Sequence, residues 1–319
     1  MKKPQASDTG ISSGKGISTE TKPCPEETIE SGDNEPSSAR RRIGFHAPIA
    51  GGLHHALLKS RELGCNAVQI FSRNPRGWAA RPLAEDEVER FLTVRAETNI
   101  ALVLIHANYL TNLAAADALI REKSRAAFRE EIERGISLGA DYLVVHPGSA
   151  KGACASDGVR TCAETLNAAC ANLDLGNFRI LIENTAGQGA CIGDRFEHLR
   201  DIIAACPALN LGVCFDTAHA FAAGYDLRAE DGFNATLEAL ERNVGLTTIR
   251  AVHFNDSKAE YNSHVDRHEH IGRGHIGRDA LARVARHTPL AHAAFILETP
   301  QDEAGDDATN LDTLRSFVS

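Results

Sequence analysis

The chain has 319 residues, of which 43% are hydrophobic and 5% aromatic, and its formal net charge is −9. This composition suits a large core of Leu, Ile, Val and Ala, and no apolar run approaches the roughly 20 residues that cross a bilayer. The eight cysteines form no Cys-x-x-Cys pair and the N-terminus has no apolar signal region, so we expect neither a disulfide framework nor secretion.

The chain begins with a polar segment rich in Ser, Thr, Gly, Pro, Glu and Lys. Such a segment cannot bury enough apolar surface to offset the entropy of ordering, so we expect residues 1–41 to be a disordered tail. Residues 42–319 have the length of one domain in which strands and helices alternate around a barrel.

Short apolar runs alternate with amphipathic stretches throughout this domain. The apolar runs, typical of strands buried on both faces, are 42–47, 66–72, 101–107, 141–147, 179–184, 211–216, 249–255 and 293–299. The amphipathic stretches are 53–64, 84–98, 115–138, 157–173, 194–205, 229–244, 277–287 and 303–318. Eight strands, each followed by a helix, predict an α/β protein with a single (β/α)₈ TIM barrel. The alternative is a doubly wound open sheet.

Six of the strands end in, or directly precede, a residue that can bind metal. These residues are His106, His146, Glu183, Asp216, His253 and Glu298. In a barrel all the strand ends meet at one rim, so one polar pocket is predicted there, whereas an open sheet rarely gathers six strand ends into one site. Two local motifs add His219, three residues after Asp216, and the Asp266-x-His268 pair in the loop after the seventh strand.

The combined set contains five imidazoles, four carboxylates and no thiolate, a donor set that favours zinc, manganese or iron. A single histidine at a strand end is more often a hydrogen-bonded core residue than a ligand. Four uncompensated carboxylates at one rim would repel one another, however, and bound cations would remove that repulsion. Nine ligands fit two or three ions that share a carboxylate. Because these cations would reverse the charge of the pocket, the net charge of −9 does not exclude a nucleic-acid partner.

The segments that carry these residues resemble the signatures of a known family. They are VVHPGS (144–149), LIENTAGQG (181–189), CFDTAHAFAAGYDL (214–227), HFNDSK (253–258) and VDRHEHIGRGHIG (265–277). Together they resemble the endonuclease IV family of apurinic/apyrimidinic DNA repair endonucleases, from about residue 43 to the C-terminus. The resemblance implies a (β/α)₈ barrel with three zinc ions, manganese being an alternative at one or more sites.

The resemblance also implies roles for individual residues. One zinc would be bound by His106, His146 and Glu183. A second would share Glu183 and add Asp216, His253 and Glu298, and the third would be bound by His219, Asp266 and His268. Glu183 or Glu298 would position or deprotonate the water that attacks phosphorus. Arg76, Tyr109 and Leu110 match the positions from which this family inserts side chains into bent DNA.

The implied substrate is double-stranded DNA that contains abasic sites or blocked 3′ ends. Cleavage on the 5′ side of the baseless sugar would leave a 3′-hydroxyl and a 5′-deoxyribose phosphate. We expect a monomer that is cytoplasmic and associated with the nucleoid, or nuclear in a eukaryote. Two departures from the family pattern, Ala47-Pro48-Ile49 after the first strand and Arg273 in HIGRGHIG, concern DNA contacts and not the nine ligands.

Two other functions compete with this interpretation. A metal-dependent sugar isomerase or epimerase would also use barrel-rim histidines and carboxylates, but with one or two ions. The third group, His219 with Asp266 and His268, distinguishes the two enzymes. A non-catalytic binder of damaged DNA is the second alternative, and the presence of all nine ligands argues against it.

Overall fold

The computed structural model describes residues 41–319, so the predicted tail lies outside the described residues apart from Arg41. Eight parallel strands form one sheet. They are β1 (Arg42–Phe45), β2 (Ala67–Phe71), β3 (Leu102–His106), β4 (Tyr142–Val145), β5 (Arg179–Glu183), β6 (Gly212–Asp216), β7 (Ile249–His253) and β10 (Ala294–Leu297). Their order in the sheet is β1-β10-β7-β6-β5-β4-β3-β2. Each predicted strand is present, with its ends shifted by a few residues at most.

The sheet closes between its first and last strands. His46 bridges Gln69 in parallel register, and the Ala47 amide donates to the Gln69 carbonyl at 2.8 Å. Gly44 permits this close approach, because a Cβ at that position would lie 2.1 Å from the Ala67 carbonyl oxygen. The predicted TIM barrel is therefore confirmed, and the open sheet is wrong.

Helices surround the barrel at the predicted places. They are α1 (Leu53–Glu62), α2 (Glu85–Thr98), α3 (Ala118–Ser137), α4 (Ala155–Cys170), α5 (Phe196–Ala204), α7 (Glu230–Asn243), α8 (Arg278–Arg286) and α9 (Asp306–Val318). Their apolar faces pack on the outside of the sheet and form the main core, with residues such as Phe128 and Ile132 of α3 fully buried. Local signals set some helix ends. Asp117 caps α3 by accepting from the amides of Leu119 and Ile120, and α2 ends at Asn99 in the left-handed conformation.

A second, smaller core fills the inside of the barrel. Its members are mostly small or aliphatic, among them Ala67, Leu104, Val144, Ala251 and Ile296. Layers of such side chains close the barrel centre, as in other folds of this type.

Some elements were not predicted. A short helix, α6 (Thr217–Ala222), follows β6 directly, and the strands β8 (Asp256–Ser257) and β9 (His268–Glu269) pair as a small antiparallel hairpin in the loop after β7. Two 3₁₀ turns, Leu246–Thr248 and Thr288–Leu290, precede β7 and β10. Both α6 and the hairpin carry candidate metal ligands. Among residues 41–319, no helix is long and apolar enough to span a bilayer.

Candidate metal centre

A cavity of about 460 Å³ opens at the C-terminal rim of the barrel, and its lining includes His106, His146, His219, His268 and Glu298. A larger groove of about 700 Å³ runs along the outside of α8 and contains none of the nine candidate ligands. The rim cavity is therefore the candidate site, because it combines ionisable groups with a fold position where parallel strands converge.

Glu183, at the end of β5, lies at the centre of the cluster and is fully buried. One carboxylate oxygen lies 3.2 Å from His106 Nε2 and 3.1 Å from His146 Nε2. The other lies 2.9 Å from His253 Nδ1 and 3.2 Å from His219 Nδ1. A carboxylate that faces four imidazoles from four different elements has the geometry of a bridging ligand.

Besides a group that contains Cys214, three groups of donors lie at or beside this carboxylate, with the ligand atoms of each group within 4.8 Å of one another. They are His106, His146 and Glu183; Glu183, Asp216, His253 and Glu298; and Asp216, His219 and His268. The first two are the sets expected for the first and second ions. The third replaces the expected Asp266 with Asp216.

Asp266 nevertheless belongs to the same cluster, since its Oδ1 lies 3.2 Å from His219 Nε2 and 3.6 Å from His268 Nε2. The structure thus brings all nine candidate ligands together at one rim. Whether each binds metal stays a prediction from the sequence and its family resemblance.

The first turn of α6 fixes the positions of Asp216 and His219. Asp216 is the N-cap of this helix, and its carboxylate accepts a hydrogen bond from the His219 amide at 2.6 Å. His219 in turn lies within 2.9 Å of the Asn184 carbonyl through Nδ1, which leaves Nε2 directed toward Asp266. A backbone contact at one ring nitrogen is the usual way to orient an imidazole for metal binding at the other.

The site holds opposite charges close together in a buried environment. Burial alone would raise the pKa of Glu183, but His253, His146 and His106 hold that pKa well below its ordinary value. Burial would likewise lower the pKa of His219, whereas Asp216 and Asp266 raise it well above normal. Glu183 therefore stays ionised near neutral pH, and its buried charge requires a cationic counterpart.

The donor set fits metal ions better than protons. His268 Nε2 is buried without a hydrogen-bond partner in the part of the chain that the structure describes, although it lies 3.6 Å from both Asp216 and Asp266. A donor atom that faces two carboxylates without a hydrogen bond to either is what a ligand set around an ion requires. Cys214 also lies near Glu183 and His253, but burial raises the pKa of its thiol to about 12. The nine ligands predicted from the sequence are all nitrogen or oxygen donors.

Three polar residues support the ligands and were missed in the sequence. Gln69 on β2 donates to Glu298 Oε1 at 2.6 Å and lies 2.8 Å from His253 Nε2 through its carbonyl oxygen. Asn255 donates to Asp216 Oδ2 at 2.7 Å and accepts from the Glu298 amide. Asn184 exchanges hydrogen bonds with the backbone of Asp216. A lone buried glutamine in the apolar run AVQIF was the one sequence signal for Gln69.

A buried carboxylate holds the loop that carries Asp266 and His268. Asp256 is fully buried, and its oxygens accept hydrogen bonds from the amides of Ser257, Gly272, Gly274, Ile276 and Gly277 at 2.8–3.3 Å. A Cβ at Gly274 would lie 2.4 Å from the Ser257 carbonyl oxygen, so only glycine permits this wrapping. The loop after β7 therefore wraps around the Asp256 carboxylate, which accepts from its amides.

The residues expected to contact DNA lie on two adjoining loops beside the cavity. Tyr109 is 65% exposed and packs edge-on against Phe71, with ring centroids 5.2 Å apart. Arg76 is exposed and Leu110 is partly buried. The Tyr109 amide donates to the Pro75 carbonyl at 3.1 Å, which joins the two loops. Their contact with DNA stays a prediction.

Comparisons with known proteins identify relatives of this chain. The model of the family described as xylose isomerase-like TIM barrel matches residues 57–317. The chain is 45% identical over 280 residues to a protein described as probable endonuclease 4 from Solibacter usitatus, covering 87% of this chain and 97% of that protein. A second probable endonuclease 4, from Chloroflexus aurantiacus, is 42% identical over 279 residues and is covered to 98%.

Solved structures with a similar fold also include an endonuclease IV. The crystal structure of endonuclease IV from Thermus thermophilus superimposes with a TM-score of 0.77 at 40% identity, over 87% of this chain and 98% of that one. A D-tagatose 3-epimerase-like protein is also similar, with a TM-score of 0.66 at 20% identity and coverage of 86% and 97%. The second likeness shows the shared fold alone.

Proposed function

The chain belongs to the endonuclease IV family of xylose isomerase-like TIM barrels, and on that premise we propose that it is a metal-dependent DNA repair endonuclease. It hydrolyses the phosphodiester on the 5′ side of an abasic site and leaves a 3′-hydroxyl and a 5′-deoxyribose phosphate. The same site removes blocking groups from 3′ ends. The observation that carries the proposal is the cluster of nine donors around Glu183, whose His219, Asp266 and His268 add a third group to the two that share Glu183.

The proposed ions are three zinc ions, with manganese acceptable at one or more positions, because the donors are imidazoles and carboxylates alone. His106, His146 and Glu183 hold the first, and Glu183, Asp216, His253 and Glu298 the second. His219, Asp266 and His268 hold the third, with Asp216 close to the last two groups. When bound, such ions neutralise phosphate charge and lower the pKa of water.

The two glutamates take different parts in this proposal. Glu183 is wholly buried and surrounded by four imidazoles, which suits a ligand that never exchanges protons with solvent. Glu298 lines the cavity, and its side chain is 16% exposed, with Oε1 held by Gln69 and near His46 Nδ1. Glu298 is therefore the better placed carboxylate to orient the attacking water and accept its proton.

Substrate selection follows from the weakness of a duplex that lacks a base. Extruding a baseless sugar costs less than flipping a stacked nucleotide, so a protein that bends DNA selects such sites. Tyr109 lines the cavity, and Leu110 and Arg76 lie on the two joined loops at this position, from where the three side chains insert into the bent helix. Wedges of this kind unstack a base step at a cost of a few kcal/mol, which the added contacts offset.

A duplex oligonucleotide with one tetrahydrofuran abasic analogue tests the function. We expect incision at the analogue, none in the matched intact duplex, loss of activity with a chelator and recovery on addition of zinc. Elemental analysis should give close to three metal ions per chain. One or two ions with turnover of a free sugar would favour the isomerase, and tight binding without incision would favour the non-catalytic binder.

A further inference from the structure

An ion pair that belongs to none of the ligand groups is buried beneath the two loops beside the cavity. Arg73, just after β2, and Glu131, on the inner face of α3, have side chains that are 3% and 1% exposed. Arg73 Nε donates to Glu131 Oε1 at 3.1 Å. Burying such a pair costs desolvation that its mutual attraction only partly returns, so stability alone is a weak reason for its presence.

The Glu131 carboxylate also supports the second loop. The Asn108 amide donates to both of its oxygens, at 3.2 and 3.3 Å. The Asn108 side-chain oxygen then accepts from the amides of Leu110 and Thr111 at 2.9 and 3.0 Å. The turn that presents Tyr109 and Leu110 therefore rests on Glu131 through one intermediate residue.

Arg73 connects the same carboxylate to the first loop. It precedes Asn74, whose side-chain oxygen accepts from the Arg76 amide at 3.0 Å. The two loops meet where the Tyr109 amide donates to the Pro75 carbonyl. Arg73 Nη2 has no hydrogen-bond partner within residues 41–319. The pairs that the guanidinium forms with Glu131 and Glu130 therefore leave one of its nitrogens unused, and the loop backbone also holds Arg73 in position.

We propose that Glu131 is a positioning residue. Through Arg73 and Asn108 it holds the two loops in the conformation that presents Arg76, Tyr109 and Leu110 beside the cavity. This inference rests on the proposed function. Unstacking a base step requires a rigid wedge, because a loop that must first become ordered spends binding free energy on its own immobilisation. Glu131 therefore sets the affinity for a duplex that lacks a base, while the hydrolytic groups on the strand ends remain unaffected.

The test compares Glu131→Gln with Glu130→Gln. Glu130 is the adjacent carboxylate on α3, and it pairs with Arg73 Nη1 at 2.8 Å, but its side chain is 36% exposed and none of its hydrogen bonds reaches a loop amide. With the tetrahydrofuran duplex, Glu131→Gln should raise KM about tenfold while kcat changes less than about threefold, as expected when binding is lost equally from ground and transition states. Glu130→Gln should stay within about twofold of the wild type in both constants.

A fluorescence measurement reports the wedge directly. With 2-aminopurine opposite the abasic analogue, the wild type should increase the fluorescence on binding as it unstacks the base, and Glu131→Gln should give less than half of that increase at saturation. Zinc content should match the wild type in both variants. A purely structural ion pair would change melting temperature without changing either the KM to kcat relation or this signal.

The double variant Arg73→Met with Glu131→Met keeps the inference falsifiable if Glu131→Gln folds poorly. Apolar residues of similar size often replace a buried ion pair without loss of stability. We expect this variant to fold while KM stays raised, since methionine at position 131 leaves the Asn108 amide without an acceptor. Wild-type KM in the double variant would overturn this inference alone, whereas a wild type that leaves the tetrahydrofuran duplex intact would overturn the proposed function and the inference with it.

Discussion

The rim of the barrel is held in two different ways. Glu183, Asp216 and His253 sit on the last residues of paired strands, where the register of the sheet fixes their backbones and they are fully buried. The loops that complete the rim lie outside this eight-stranded sheet, and a buried carboxylate supports each of them. Asp256 supports the loop after β7, which also contains the short β8–β9 hairpin, and Glu131 supports the loops after β2 and β3. The sheet-held candidate ligands depend on the whole fold, whereas each carboxylate-held loop depends on a few local contacts.

This difference predicts how each region responds to substitution. A change at a sheet-held ligand should leave the backbone in place and remove chemistry, because neighbouring strands continue to pair. A change at a loop anchor should leave the chemistry intact and loosen one segment, since loops open locally at a free energy well below that of global unfolding.

The largest effect is expected for Glu183→Gln. The amide keeps the shape of the side chain but removes the charge that four imidazoles share, so two proposed ions lose their common ligand. Incision should fall roughly a thousandfold or more, because metal ions contribute several kcal/mol of transition-state stabilisation. Zinc content should drop from about three to one, and the circular dichroism spectrum should match the wild type. Wild-type zinc content in this variant would contradict the bridging role of Glu183.

Asp256→Asn should act on one loop alone. The substitution turns part of an acceptor for five amides into a donor, and it removes the charge around which residues 257–277 fold. Hydrogen exchange should accelerate in that segment and stay unchanged in β5 and β6. Because Asp266 and His268 lie in the loop, incision should fall about 10- to 100-fold with loss of about one zinc, the usual range when groups that orient ligands are removed. Uniform exchange across the barrel would show that Asp256 supports the whole fold instead.

The same division explains what the sequence predicts. Continuous apolar runs that end in His or a carboxylate are local signals, so the barrel and the convergence at Glu183 follow from strand periodicity and topology. The partners of Asp256 lie up to 21 residues away, and Glu131 joins an arginine 58 residues earlier. No periodic pattern marks such contacts. In the sequence, Asn255, Asp256 and Glu131 have no feature that distinguishes them from other polar residues, because only the fold brings their partners close to them.

Gln69→Leu tests a supporting residue in the sheet-held region. Gln69 lies on β2, and its amide joins Glu298 to His253. Leucine preserves the volume and the strand, so the barrel should fold normally while both ligands lose an orienting contact. We expect zinc affinity at one site to fall about tenfold, at the lower end of the range for such residues, as measured by competition with a chromogenic chelator. A change confined to thermal stability, with zinc affinity unchanged, would assign Gln69 to packing.

The smallest effect concerns the pH dependence of the Glu131 anchor. Burial raises the pKa of Glu131 to about 7, although Arg73, the Asn108 amide and His106 act in the opposite direction, and Arg134 also faces this carboxylate. The folded protein therefore keeps this proton to a higher pH than the unfolded chain, whose glutamate has the ordinary value of 4.5. Between these two pH values the folded state binds more protons, so the wild type loses stability as pH rises, by roughly 1.4 kcal/mol for each pH unit at most.

Glu131→Gln lacks this group, so the difference in unfolding free energy between wild type and variant should fall as pH rises from 5 to 7 and level off above 7. Urea unfolding of both proteins across that range measures it, and pH effects on the shared metal ligands cancel in the difference. Glu130→Gln, which leaves Glu131 in place, should keep the wild-type slope. Parallel profiles for the wild type and Glu131→Gln would mean that Glu131 is fully ionised throughout. Its bond to the loop amide would then be equally strong at every pH tested, and the anchor would be as insensitive to pH as the register of the sheet.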